Sequence, residues 1–415
     1  MAHTKHRRRR FAAHFVLGLA LIVAVAAAGV VASWAAVAHF DQHRKAAPLA
    51  AGAPAQEPDA RHAPDESELG APPEPRGFTL VATGDILIHT DLWERAAATA
   101  HEGEAYSFRP MFSKVRPAIS AADLAICHLE TPLSAEDQDL SSFPVFNIPH
   151  ELADAIAWAG YDECSTASNH SVDQGSAGVK ATLDALDEVG VSHAGTARNK
   201  QEAHRITFLR ANGVKVAHLS YSYGFNGFQP SNPWEANQID AERILADAER
   251  ARKVGSEFTI VSLHWGTEYV TAPTPYQEKV AKRLAKSDSV DLIIGHHAHV
   301  IQPVARVGGK YVAFGLGNFL SGMLPTQTAS VEDGIILQVR VEEGPRGFMV
   351  QSASYTPTWV EPGTWQIVPV AQSLDQKRVS EEERQQLEAS WNRTVAAVSS
   401  LGVDTVRPKR APEGV

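Results

Sequence analysis

Residues 292–304 read LIIGHHAHVIQPV, and the meaning of this stretch decides the fold. A β-rich apolar run, VDLII at 290–294, ends in Gly295 and then sets His296, His297 and His299 within four positions. Side chains on an extended segment repeat their direction every two residues, so His297 and His299 are expected on one side and His296 on the other. Two imidazoles on one side of a strand end make half of a divalent-metal site, which carboxylates from elsewhere must complete. His296 is then a packing or supporting residue. A shift of the pairing by one residue is the alternative.

Working outward, four more β-rich runs end in polar residues of the same kind. FTLVAT (78–83) runs into Gly84-Asp85, with His89 four residues on, and ADLAICHL (122–129) runs into Glu130. DECSTAS (162–168) runs into Asn169-His170, and FTIVSL (258–263) into His264-Trp265-Gly266. Helical stretches separate them: in SAGVKATLDALDEVG, Val179, Leu183, Leu186 and Val189 share one face. Strands alternating with helices predict an α/β domain whose sheet is covered by helices. Turns at Asn212-Gly213 and Gly308-Gly309 predict two hairpins, and GIILQVRVEE and FMVQSASYTP predict a final β layer.

In open α/β sheets ligands bind outside the carboxyl ends of the strands, so these five ends can converge in space. Each residue alone has a plain explanation: a turn aspartate, a surface His89, a helix-capping Asn169, a packed core His264. Glu130 is harder to explain, because a carboxylate at a buried strand end must be balanced by a metal, an arginine or a helix N-terminus. Together, Asp85, His89, Glu130, Asn169, His170, His264, His297 and His299 form the inventory of a two-metal hydrolytic centre, in which a carboxylate bridges two cations about 4 Å apart.

The ends of the chain say where such a domain works. Residues 1–10 hold five Lys or Arg, and residues 11–40 hold no Asp, Glu, Lys or Arg. The 24 residues from Phe15 to Ala38 exceed the roughly 20 that span a bilayer as a helix, which predicts a signal anchor. A cleaved signal peptide and a twin-arginine export signal are the alternatives, and each also exports the domain. The basic flank is expected to stay in the cytoplasm, leaving the rest extracytoplasmic. Residues 41–77 carry seven prolines and almost no large apolar residue, the composition of a disordered tether. Cys127 and Cys164 lie inside apolar runs, which favours buried free thiols over a disulfide. SEEERQQLEASWNRTVAAVSSL (380–401) opens with Ser380 and Glu383 in capping-box spacing and predicts an amphipathic helix docked on the domain or a partner. The formal net charge of −10 excludes a basic nucleic-acid footprint.

The motifs in order resemble the bacterial capsule-synthesis CapA family, the poly-γ-glutamate capsule biosynthesis family, across about residues 78–325. They are TLVATGDILIHTDL, ADLAICHLETPL, FPVFNIP, TASNHSVDQG, SYSYGFNG, VSLHWGTEY, IIGHHAHVIQPV and FGLGNFL. The resemblance implies a four-layer α/β/β/α sandwich of calcineurin-like metallophosphatase type over 78–370, with residues 371–415 as helix and tail. It implies two divalent ions, Mn, Fe or Zn. Asp85 would bind the first, Glu130 would bridge, Asn169 and His264 would bind the second, and His297 and His299 would be divided between them. His170 would donate the proton to the leaving group. Two departures stand out: the residue two after Asp85 is Leu87, leaving His89 as the nearby histidine, and Glu130 stands where Asp is usual.

For function the resemblance implies a membrane-anchored component that synthesises, exports or anchors an anionic polymer, beside polymer synthase or export subunits. A non-catalytic scaffold subunit and a cell-envelope metallophosphoesterase acting on a phosphoester are the competing readings. Arg109, Lys114 and Arg116 are the candidate positive groups for an anionic substrate.

Overall fold

Runs rich in Val, Ile and Leu form strands here because both faces of each sheet are covered, one by helices and the other by a second sheet. The computed structural model describes residues 76–326, 328–376, 379–402 and 406–409. The expected signal anchor and nearly all of the expected tether lie outside the described residues. Among the described residues, no helix is long and apolar enough to cross a membrane.

The first four strands are β1 (Gly77–Leu87), β2 (Leu124–Leu129), β3 (Glu163–Ser165) and β4 (Ser192–Ala194), parallel neighbours in that order. Between them lie α1 (Thr90–Ala98), α2 (Arg109–Phe112), α3 (Arg116–Ser120), α4 (Leu152–Ala159) and α5 (Gly175–Glu188). After α6 (Lys200–Ala203) the chain builds a second sheet from β5 (Thr207–Ala211), β6 (Val214–Ser222), β7 (Phe258–His264), β8 (Leu292–His296), β9 (Val304–Val307) and β10 (Lys310–Ala313). Its order is β5-β6-β7-β8-β10-β9, with α7 (Ala241–Lys253) and α8 (Pro275–Leu284) in the crossovers. Both expected hairpins form, β5 with β6 and β9 with β10.

The chain then returns to the first sheet. β11 (Asn318–Ser321) pairs with the end of β1, and β12 (Asp333–Gly344) runs antiparallel beside it. β13 (Gly347–Val360) and β14 (Ile367–Pro369) extend the sheet, so the expected final β layer belongs to the first sheet. α9 (Val370–Leu374) and α10 (Glu381–Val398) follow, and β15 (Val406–Pro408) pairs with β13. Ser380 caps α10 by accepting from the Glu383 N–H at 3.2 Å. Leu387 and Trp391 pack on Trp359 and Val368, and Arg393 holds the Asp333 carboxylate through two bonds of 2.7 and 2.8 Å.

Three apolar layers alternate with these elements. Leu80, Ile126, Val216, Ile260 and Ile294 meet between the sheets. Cys127, Leu129, Ile119, Ile156 and Leu186 pack sheet against helices on one outside, and Val261, Ile293, Ile244 and Leu284 on the other. The result is four layers, helix, sheet, sheet, helix. Alternation along β2 sends Ile126 between the sheets, Cys127 toward the helices and His128 back between the sheets.

The cysteines correct the expectation of free thiols. Parallel register sets Cys127 opposite Cys164 with Cα atoms 4.5 Å apart, and the two form a disulfide. The pairing depends on β2 and β3 being neighbours, which the apolar runs alone do not state. At the start of β1, Arg76 donates to Glu257 and Glu343 at 2.9 Å. The chain therefore enters at the pole where β1 and β7 begin, opposite the strand ends that carry the candidate residues.

Candidate metal centre

Strand β8 ends at His296, and the next residues leave the extended conformation: φ is 88° at His297 and 56° at His299. The alternation argument for this pair is therefore wrong. A turn, not a strand, brings the two rings to 5.8 Å. Side chains with a Cβ adopt this left-handed region where the surroundings fix them. Here Asp85 does so, accepting from the His297 N–H at 3.1 Å. His296 faces inward, with its ring stacked on His128 at 4.0 Å and Nδ1 3.4 Å from Asp85 Oδ1.

Ligand-type atoms gather in two overlapping groups, Asp85, His128, Glu130 and His264 in one, and Glu130, His297 and His299 in the other, with the atoms of each within 4.8 Å of one another. Glu130 is common to both. Both of its carboxylate oxygens are buried without a hydrogen-bond partner, with His299 Nε2 at 3.7 Å and His264 Nε2 at 3.9 Å from Oε1. Among the described residues, no Arg or Lys pairs with Glu130 or Asp85. Arg109 is held by Asp154 at 2.7 and 2.8 Å, and Arg116 by the Trp158 carbonyl.

Burial sets the electrostatics. It raises Glu130 well above the carboxylate range, with further repulsion from Asp85. Burial opposes ionisation of Asp85 too, but His296 and His299 beside it win and hold it well below that range. Burial and the neighbouring rings push His264 and His128 well below the usual imidazole value and His297 down to about 3. Burial would also lower His299, but Glu130 and Asp85 raise it to about 10. His264, His128 and His297 are thus neutral, and each neutral ring carries a single N–H.

That single proton makes the hydrogen bonds directional. On one side, Ser165 Oγ donates to the Cys127 carbonyl, and His128 Nδ1–H donates to Ser165 Oγ at 2.8 Å. His128 Nε2 then accepts from His264 Nδ1–H at 2.9 Å, which leaves His264 Nε2 a bare acceptor. On the other side, His170 Nδ1–H donates to the Asp173 carboxylate at 2.8 Å, and His170 Nε2 accepts from Asn226 Nδ2 at 3.3 Å. Asn226 Oδ1 accepts from Asn169 Nδ2 at 3.3 Å, which turns Asn169 Oδ1 toward His264. The two chains meet at His264 Nε2 and Asn169 Oδ1, 2.9 Å apart: two acceptors when the His264 proton is on Nδ1, a hydrogen bond when it is on Nε2. Beside this pair the buried Glu130 carboxylate has no hydrogen-bond partner, a charge that a divalent cation would balance, so these residues fit a metal. His299 is oriented likewise: Asn318 Nδ2 donates to the Val331 carbonyl at 2.9 Å, Asn318 Oδ1 accepts from His299 Nδ1–H at 3.0 Å, and His299 Nε2 lies 3.7 Å from Glu130, the carboxylate that helps to keep this ring protonated.

Of the candidates, Asp85, Glu130, Asn169, His264, His297 and His299 come together, with His170 beside Asn169. His89 does not belong to either group of ligand atoms. Its Nδ1 lies 3.2 Å from the Leu87 carbonyl and 3.3 Å from the Gly322 N–H, its ring packs edge-on against Phe146, and burial lowers it to about 4. His128, Asn226, Asn318 and Tyr223, whose ring covers His297 at 4.6 Å, are additional to the candidates read from sequence. For His128 the period of two was a usable signal, because it put His128 on the same face as Glu130.

Residues 79–323 match the model of the family described as bacterial capsule synthesis protein PGA_cap. The chain belongs to that family. The matched span holds every residue of the centre. Similar family relatives include the capsule biosynthesis protein CapA of Bacillus anthracis, 26% identical over 73% of this chain and 72% of that protein. The PGA biosynthesis protein CapA of Bacillus subtilis is 24% identical over 57% of this chain and 62% of that protein. Among solved structures, the NAD nucleotidase of Haemophilus influenzae is similar at 10% identity and TM-score 0.41, covering 81% of this chain and 58% of that one. A calcineurin-like phosphoesterase of Bacillus subtilis is similar at 14% identity and TM-score 0.40, covering 76% of this chain and 100% of that one.

Proposed function

We propose that the chain acts in the synthesis, export or anchoring of an anionic polymer of poly-γ-glutamate type, by metal-dependent hydrolysis or group transfer at this centre. The observation that carries the reading is the unpartnered, buried Glu130 carboxylate, set among Asp85, His264, His297 and His299 with no Arg or Lys among the described residues to balance it. Asn169 and His264 would hold one divalent ion, Asp85 the other, with Glu130 between and His297 and His299 completing the set. Two bound ions, Mn, Fe or Zn, would supply Lewis-acid stabilisation to a phosphoryl or acyl oxygen and activate water.

The chain's own groups do the rest. Asp173 holds the His170 proton at Nδ1, so His170 exchanges a proton with a leaving group at Nε2. Tyr223, over His297, shields one side of the centre from bulk water. The same reading makes the chain membrane-anchored through residues 15–38 and extracytoplasmic, next to polymer synthase or export subunits. The disulfide supports it, because such bonds persist in oxidising compartments.

The test uses the full chain. After loading with Mn, Fe or Zn it should hold about two ions and gain thermal stability, and Glu130→Gln and His297→Ala should lose both. No bound ion under any loading condition would sink the metal reading. Restoration of polymer production by a Glu130→Ala, His297→Ala double variant would sink catalysis and leave a scaffold subunit.

A further inference from the structure

His128 falls within the first group of ligand-type atoms, yet neither of its nitrogens is spare. Nδ1 donates to Ser165 Oγ, and Nε2 accepts from His264 Nδ1. At its far end Ser165 Oγ also lies 3.2 Å from the Cys127 carbonyl, which can only accept, and a hydroxyl proton placed there leaves Oγ to accept from His128 Nδ1. The geometry holds the chain in place. His128 and Ser165 are opposite each other in the β2 to β3 register, one residue beyond the disulfide-bonded Cys127 and Cys164. The crosslink lies on the helix side of the sheet and the His128–Ser165 bond on the inner side. His296 stacks on the other face of the His128 ring at 4.0 Å.

We propose that His128, backed by Ser165, is a positioning residue that fixes the tautomer of His264 and presents His264 Nε2 to an ion, without being a ligand itself. Left alone, a neutral imidazole exchanges its proton between two nitrogens, and the tautomer with Nε2–H cannot bind metal through that atom. An acceptor at Nδ1 removes this alternative and fixes the ring plane, as partners behind metal-bound histidines do generally. This inference rests on the proposed metal centre and adds to it a reason for the polar side chains between sheets that are apolar nearer the opposite pole.

The test measures metal affinity by competition with a chelator, using Mn and Zn on the full chain, together with long-range proton–nitrogen NMR of the histidine rings without metal. His128→Leu should keep the same number of ions but bind them about 10–100-fold more weakly, the usual effect of losing such a partner. His128→Gln, which keeps an acceptor oxygen, should recover part of the affinity. Ser165→Ala, a small change in a strand, should weaken binding in the same direction, which covers the chance that His128→Leu does not fold. The NMR should find His264 with its proton on Nδ1 in the natural protein and a tautomer mixture in His128→Leu. Loss of one whole ion in both His128 variants would make His128 a ligand and overturn the proposal, and so would unchanged affinity in His128→Leu and Ser165→Ala. If the natural chain binds no metal while the NMR result holds, the metal reading fails and the tautomer control stands.

Discussion

Gly295, the residue before the histidines, is a matter of contact rather than of backbone freedom. A Cβ there would lie 1.9 Å from the Phe314 carbonyl oxygen and 2.6 Å from Trp265 Nε1. Trp265 is fully buried and donates to that same carbonyl at 2.9 Å, so nothing nearby can give way cheaply. Gly84 repeats the situation beside Asp85, where a Cβ would lie 2.0 Å from the Gly317 oxygen. Both glycines let two backbones close on each other just before a candidate ligand. Gly295→Ala should therefore cost about 2–3 kcal/mol of unfolding free energy, the scale of an overpacked core, and weaken metal binding as well. Urea denaturation of the metal-free protein checks it, and a loss below about 0.5 kcal/mol, the size of a neutral surface change, contradicts it.

Among the elements, the segment between β2 and α4 folds over Asp137 and returns at His150 and Glu151. Asp137 accepts from the His150 backbone N–H at 3.0 Å and from its ring at 2.8 Å. Burial, and then repulsion from Asp137, push Glu151 up to about 7. The folded state thus holds a proton that the unfolded chain releases near its ordinary value of 4.5. The stabilisation is complete below that value and is lost as pH rises through about 7. Glu151→Gln, always neutral, should melt about 1–2 °C higher than the natural protein at pH 8 with no such gain at pH 5, a modest effect because the group is partly exposed. An equal difference at both pH values would contradict it.

The elements also mark how far the amino-acid sequence could be read. Strand ends and ligand types were legible because periodicity and residue chemistry are local properties. The turn at His297 and His299 was not, since Asp85, two hundred residues away in sequence, fixes it. The disulfide stayed hidden for a similar reason, as it follows from which strands are neighbours. The orientations of His264 and His299 depend on partners such as His128, Ser165 and Asn318, and the types of Ser165 and Asn318 alone suggest nothing about metal.

At the scale of the whole molecule, the Cys127–Cys164 crosslink closes a loop of 37 residues that contains α4 and the segment before it. On chain entropy alone such a loop contributes about 4 kcal/mol. A Cys127→Ala, Cys164→Ala variant should lose most of that in calorimetry or denaturant unfolding, and a loss under about 1 kcal/mol would argue that the sheet holds its own register without the bond. The position of Arg76 has a different consequence. The chain enters at one pole, and β1 then runs through the middle of the first sheet to Asp85 at the other. Any pull on the chain ahead of Arg76 is carried along β1 in shear, against the antiparallel ladder to β12 and the parallel ladder to β2, so many hydrogen bonds share the load at once. The strand that presents Asp85 is thus the one best placed to resist such a pull, and the centre lies at the pole opposite Arg76.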